Sequence, residues 1–177
     1  DIVTLGTTGV LTFDSEDGIS GVEGLNTNAL RISAGVNGVA ARSRSTGDVR
    51  LFEDDTDGMD LTLAQNVNTS FDPSSDFDGN ITSADNVVLE SEDATGLDGS
   101  VQRAAAIDPT APGIEENIVA TNDVAIYSAD GVGTLAAPLI TKVGAQLAIL
   151  NSDTVPSDAT GGIFITESFD GTDLTTG

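Results

Sequence analysis

The chain reads as an all-β protein: one domain over residues 1–177, a β-sandwich, jelly roll or barrel carrying long polar loops. Three observations predict this. Apolar and polar residues alternate over short runs, no window of about eleven residues carries a helical apolar period, and glycine-led turn signals separate the runs. Leu, Ile, Val and Phe make up 47 of the 177 residues, above the roughly 20% below which a highly charged chain is expected to stay disordered.

The elements follow in chain order. Residues 2–5 and 10–13 are short apolar runs. Leu30, Ile32 and Ala34 then alternate with Arg31 and Ser33, as in a strand with one wet face. Residues 39–44 and 49–52 continue the rhythm, and Met59, Leu61 and Leu63 alternate with Asp60 and Thr62. Further strands are expected at 87–89, 118–120, 124–127, 139–143, 146–150 and 163–166. Residues 101–107, around Ala104–Ala106, would suit a helical turn or a strand. Asp-Gly occurs six times, led by Asp17, Asp57, Asp78, Asp98, Asp130 and Asp170, and Asn37-Gly38 adds a seventh turn signal. Such pairs tolerate the positive φ of tight turns. Long polar loops are expected at 65–80, 90–99 and 108–113, the last with Pro109 and Pro112. Residues 1–13, 14–24 and 170–177 read as extended or partner-dependent segments. No internal repeat is evident.

Composition excludes several kinds of chemistry. With no His and no Cys, there is no Ser-His-Asp or Cys-His nucleophile, no disulfide and no zinc site of nitrogen and sulfur ligands. A net charge of −23 repels nucleic-acid phosphates and anionic lipids, whose binding needs clustered Lys and Arg. The longest uncharged apolar stretch, 143–150, is too short to cross a bilayer. A glycosidase-like pair of carboxylates also needs aromatic platforms for the sugar, and the chain has six Phe, one Tyr and no Trp. No catalytic residue is assigned. Since the sequence starts at Asp1, a removed leader or a longer parent chain is expected.

Acidity also points to a habitat. There are 21 Asp to 8 Glu, and 5 Arg to a single Lys, Lys142. This composition resembles that of proteins working in near-saturated salt, as in haloarchaea and their viruses. A short-stemmed carboxylate holds hydration and cations tightly. Molar salt shortens the Debye length to roughly 3 Å and removes the self-repulsion that otherwise destabilises so charged a chain. A calcium-loaded secreted bacterial protein is the alternative source of such a composition.

Two groups of residues stand out as candidate sites. Residues 74–85 resemble a Ca²⁺ loop of the EF-hand or dockerin type, with Asp76, Asp78, Asn80 and Asp85 at ligand positions and Gly79 at the sharp turn; Ser74 stands where an Asp is usual. Its cation would be Ca²⁺ or a monovalent ion, and a solvated acidic turn is the plain reading. The cluster 53–58 has Ala64 at its twelfth position and reads as a hairpin tip. Asn68-Thr69-Ser70 and Asn80-Ile81-Thr82 are glycosylation sequons at about the chance frequency. In the second group, Arg31, Arg42, Arg44 and Arg50 fall within a segment, 25–52, whose one acid is Asp48, giving a local charge of +3. Either this basic set docks onto the acidic surface of another subunit, or each Arg pairs within its own chain.

By elimination, the sequence suggests a non-catalytic structural subunit of an extracellular assembly in high salt, partnered by copies of itself or other subunits. A capsid or other virion structural protein of a haloarchaeal virus leads. A cell-surface filament, surface-layer or adhesin subunit is the alternative, and a Ca²⁺-binding extracellular β module the third.

Overall fold

A computed structural model describes residues 2–3, 10–20, 29–33, 38–55, 60–64, 79–93, 99–104, 116–151 and 161–168. Among these residues the chain forms strands and no helix. The first are β1 (Ile2–Val3), β2 (Val10–Ser15) and β3 (Leu30–Ser33), followed by β4 (Gly38–Ser43), β5 (Val49–Asp55) and β6 (Leu61–Leu63). Next come β7 (Gly79–Ser83), β8 (Val87–Asp93), β9 (Ser100–Arg103), β10 (Glu116–Ala120), β11 (Val124–Ser128) and β12 (Gly131–Val132). The series ends with β13 (Leu139–Val143), β14 (Leu147–Asn151) and β15 (Ile165–Glu167).

Every pairing among these strands is parallel. A six-stranded sheet runs in the order β1-β3-β5-β8-β11-β14. The other sheet is nine-stranded: β2, β4, β7, β10, β13 and β15 form one run, β6, β9 and β12 a second, and β4 touches β6 where Val39 meets Leu63. The chain therefore coils. From β4 it turns a corner into β5 and returns as β6; β7 leads to β8 and β9, β10 to β11 and β12, and β13 to β14 and on to Ile163, which bridges Val132. Stacked in this way, successive coils make a parallel β-solenoid, in which each coil completes the hydrogen bonding and the core of the next.

This corrects the expected sandwich, jelly roll or barrel. Those folds need antiparallel hairpins, and all the described strands pair in parallel. Alternation of apolar and polar residues marks a strand with one wet face and says nothing about the direction of its neighbour. Asp-Gly turns misled for a related reason. Gly18, Gly99 and Gly131 take φ of 113°, 126° and 131°, and they lie at coil corners rather than hairpin tips. The stretch 101–107, which would suit a helical turn or a strand, begins within strand β9.

The core lies between the sheets as columns of stacked side chains. Val49, Val87 and Val124 occupy one column, and Leu51, Leu89 and Ile126 the next; all are buried. Leu61, Val101 and Val132 form a third on the return side. The columns expose a repeat that the linear sequence conceals: Asp48-Val49, Asn86-Val87, Asp123-Val124 and Gln146-Leu147 fall in register, at separations of 38, 37 and 23 residues. The first two separations are nearly equal and the third is shorter.

Candidate functional site

Several of the described polar residues gather at the corners between coils. One corner leads into β5, β8, β11 and β14. There Asn86 donates from its amide N–H (3.3 Å) and from Nδ2 (2.7 Å) to Asp48 Oδ1. The Asp123 N–H donates to Asn86 Oδ1 at 3.1 Å, and the Gln146 N–H to Asp123 Oδ1 at 3.1 Å. Four coils are thus joined by one side-chain ladder. It works because a short Asx side chain reaches the backbone of the next corner. Beside it, Asn122 Nδ2 donates to Asp85 Oδ1 at 2.6 Å. At another corner Asp60 accepts from the Ser100 N–H at 3.1 Å and from Gln102 Nε2 at 2.8 Å.

A second ladder lies inside. Asn80 and Asn117 are fully buried. Asn117 Nδ2 donates to Asn80 Oδ1 at 2.8 Å, and Asn117 Oδ1 accepts the Ile140 N–H at 2.8 Å. Burial in such a network removes Asn80 from solvent, so the folded chain does not present it as a glycan acceptor.

The four arginines divide between the sheets. On the nine-stranded sheet, Arg42 pairs in register with Asp14 of β2 and donates to both its oxygens, Nε to Oδ1 at 3.2 Å and Nη2 to Oδ2 at 2.8 Å. Arg44 grips the same carboxylate, with Nε 2.9 Å from Oδ1 and Nη2 bonded to Oδ2. Burial would push the Asp14 carboxyl up. The hydrogen bonds and positive charges of Arg44 and Arg42 outweigh it and hold the group at about 2. On the six-stranded sheet, Arg50 donates to Asp48 Oδ2 from Nε at 2.9 Å and from Nη2 at 2.6 Å. Burial again opposes ionisation of Asp48, and its bonds from Arg50 and Asn86 prevail, leaving its pKa below the ordinary value. Arg31 lies over the ring of its register partner Phe52, 5.6 Å from the centroid.

The four therefore do not form one basic patch. Arg42, Arg44 and Arg50 are engaged by carboxylates of their own chain, which is the local-balance reading. Sequence reasoning missed Asp14, which it had placed in a partner-dependent segment. The one available signal was its single-residue spacing from the strand 10–13.

Of the proposed cation loop, Ser74, Asp76 and Asp78 lie outside the described residues. Asn80 is turned into the core, and Asp85 accepts from Asn122 at the corner. Among the described residues no three acidic side chains converge on a common point. Asp14, Asp48, Asp60, Asp85, Asp123 and Glu167 all accept hydrogen bonds from their own chain. Such an arrangement ties coil to coil. The chain matches no family model, no curated protein and no solved structure.

Proposed function

We propose that this chain is a rod-forming structural segment of a cell-surface adhesin or fibre that works in concentrated salt, and that it performs no chemistry of its own. One observation carries the reading: acidic and amide side chains of successive corners are bonded in ladders along the stack, above a continuous aliphatic core. A stack of this kind lengthens by adding coils, and its insertions leave from the corners, where they can meet other surfaces. Its acidity keeps such a rod soluble in brine. Elimination led to a shell subunit, for which a jelly roll or barrel would be the natural fold, and the parallel coil is neither. Immunogold electron microscopy with antibodies to residues 1–177 tests the reading on native material. Label along surface fibres supports it; label confined to icosahedral particles or to the cell interior overturns it.

A further inference from the structure

Two exposed large apolar side chains are neighbours on the outer face of the six-stranded sheet. Tyr127 is 41% exposed and Leu150 56%, and they are register partners on β11 and β14. Both point outward, because Ile126 and Ile149, the residues before them, pack into the core. The same outward row runs back across the sheet: Tyr127 lies beside Glu90, Glu90 beside Phe52, and Phe52 beside Arg31. A second outward row, two residues earlier along the strands, holds Arg50, Val88, Ala125 and Ala148. Apolar surface gathered in this way on a highly charged chain marks a binding face.

Charge and size restrict the occupant. The two rows hold one acid, Glu90, and two cations, Arg31 and Arg50, in a chain of net charge −23. The next row along the strands, where Asp54 pairs with Glu92, is acidic again. A molecule this negative repels polyanions and anionic lipids before they reach the strip. Neighbouring strands are about 4.8 Å apart, so the two rows make a strip of roughly 20 by 7 Å. That is far short of the roughly 800 Å² per partner that a stable protein contact buries. A second copy or another folded protein does not suit it, whereas a narrow, uncharged ligand does.

Chemistry alternates along the row at one strand spacing per step: the Arg31 guanidinium, the Phe52 ring, the Glu90 carboxylate, the Tyr127 ring, then Leu150. Ala125 and Ala148 keep the neighbouring row low, so a flat ring can lie against Tyr127. A neutral glycan carries the matching pattern. Its C–H faces stack on the negative face of an aromatic ring, and its hydroxyls donate to a carboxylate and accept from a guanidinium. We infer that this face binds a neutral, extended oligosaccharide, with Tyr127 and Leu150 as its platform and Glu90 and Arg31 as its hydrogen-bonding partners. Stacking and hydrogen bonds to an uncharged ligand do not depend on net charge, so the contact persists in molar salt. Such a ligand suits the surface-fibre reading, on which its biological setting rests; binding by the isolated chain is a separate outcome from the location of the immunogold label.

The chain has a single Tyr and no Trp, so tyrosine emission reports on this face alone. Titration in molar salt with cellohexaose, β-mannohexaose and N-acetylchitohexaose, followed by that emission and by calorimetry, tests the assignment. At least one hexamer should bind, change the emission and keep its affinity when the salt is doubled. By calorimetry, Tyr127→Ala should weaken binding by about tenfold or more and Leu150→Ser by less. Leu135→Ser, at a turn position 83% exposed, should leave it unchanged. Circular dichroism and melting confirm that each variant is folded, and Leu150→Ser carries the test if Tyr127→Ala does not hold the fold. Failure of all three hexamers to bind overturns the inference, as does a folded Tyr127→Ala variant that binds like the unmodified chain. Tighter binding of hexagalacturonate than of every neutral hexamer also overturns it, since charge rather than stacking would then select the ligand.

Discussion

Asp14 is a carboxylate covered by the two guanidinium groups that share it, and its chemistry sets a pH dependence. Its pKa falls from 3.8 to about 2 on folding. A lowered folded pKa contributes stability that is fully present above the unfolded value and is lost as pH falls through the folded one. This contribution should therefore hold above about pH 4 and disappear toward pH 2. Arg44 is partly exposed, and salt screens it, so Asp14→Asn should cost about 1 to 2 kcal/mol at neutral pH. Denaturant titrations in molar salt check this. The gap between variant and unmodified chain should close between about pH 4 and pH 2, and a pH-independent gap would contradict the assignment. Gly47 is the other residue with a sharp constraint. Its φ is +84°, and a Cβ there would lie 2.0 Å from the Asp17 carbonyl oxygen. Gly47→Ala should lower stability by about 1 to 3 kcal/mol in the same titration.

At the level of elements, corners hold the coils in register and columns hold them together. Asn117 makes the case most sharply, since it bonds both the coil before it, at Asn80, and the coil after it, at the Ile140 N–H. Asn117→Ala leaves the buried Asn80 Oδ1 and the part-buried Ile140 N–H without those partners and should cost about 2 to 3 kcal/mol. Asn122→Ala removes one bond at an exposed corner and should cost less than about 1 kcal/mol. Comparable losses in the two variants would mean that the inner ladder contributes no more than the surface. Most strands were legible in the sequence, because alternation such as Leu61-Thr62-Leu63 follows directly from one dry and one wet face; β7 was not, and both it and β8, which runs on to Asp93, reach into segments expected as polar loops at 65–80 and 90–99. Their pairing was not legible. Alternation is the same for parallel and antiparallel neighbours, and Asp130-Gly131 allows positive φ at a coil corner as readily as at a hairpin tip. The corner motif recurs as Asp48-Val49, Asn86-Val87 and Asp123-Val124 at the near-equal separations of 38 and 37 residues, and the shorter interval of 23 to Gln146-Leu147 breaks the period. The arginines were visible as a cluster along the chain. Which carboxylate each would meet depended on strand register, so Asp14 stayed hidden until β2 was set beside β4.

For the whole molecule, charge and architecture make separate demands. About 23 uncompensated negative charges should make the fold depend on salt: transfer from molar to roughly 0.1 M salt lengthens the Debye length from about 3 to about 10 Å and restores self-repulsion. The melting temperature should fall on that transfer, and an unchanged or higher value would contradict adaptation to brine. Architecture is the more basic claim, since the ladders and the columns both depend on parallel stacking of coils. Nuclear Overhauser spectroscopy of the isotope-labelled chain in molar salt tests it most directly. Parallel coils predict cross-strand contacts between backbone amide and α protons that link the Leu51, Leu89, Ile126 and Ile149 positions in that order. Close α-proton to α-proton pairs between these strands, the mark of antiparallel neighbours, would contradict it.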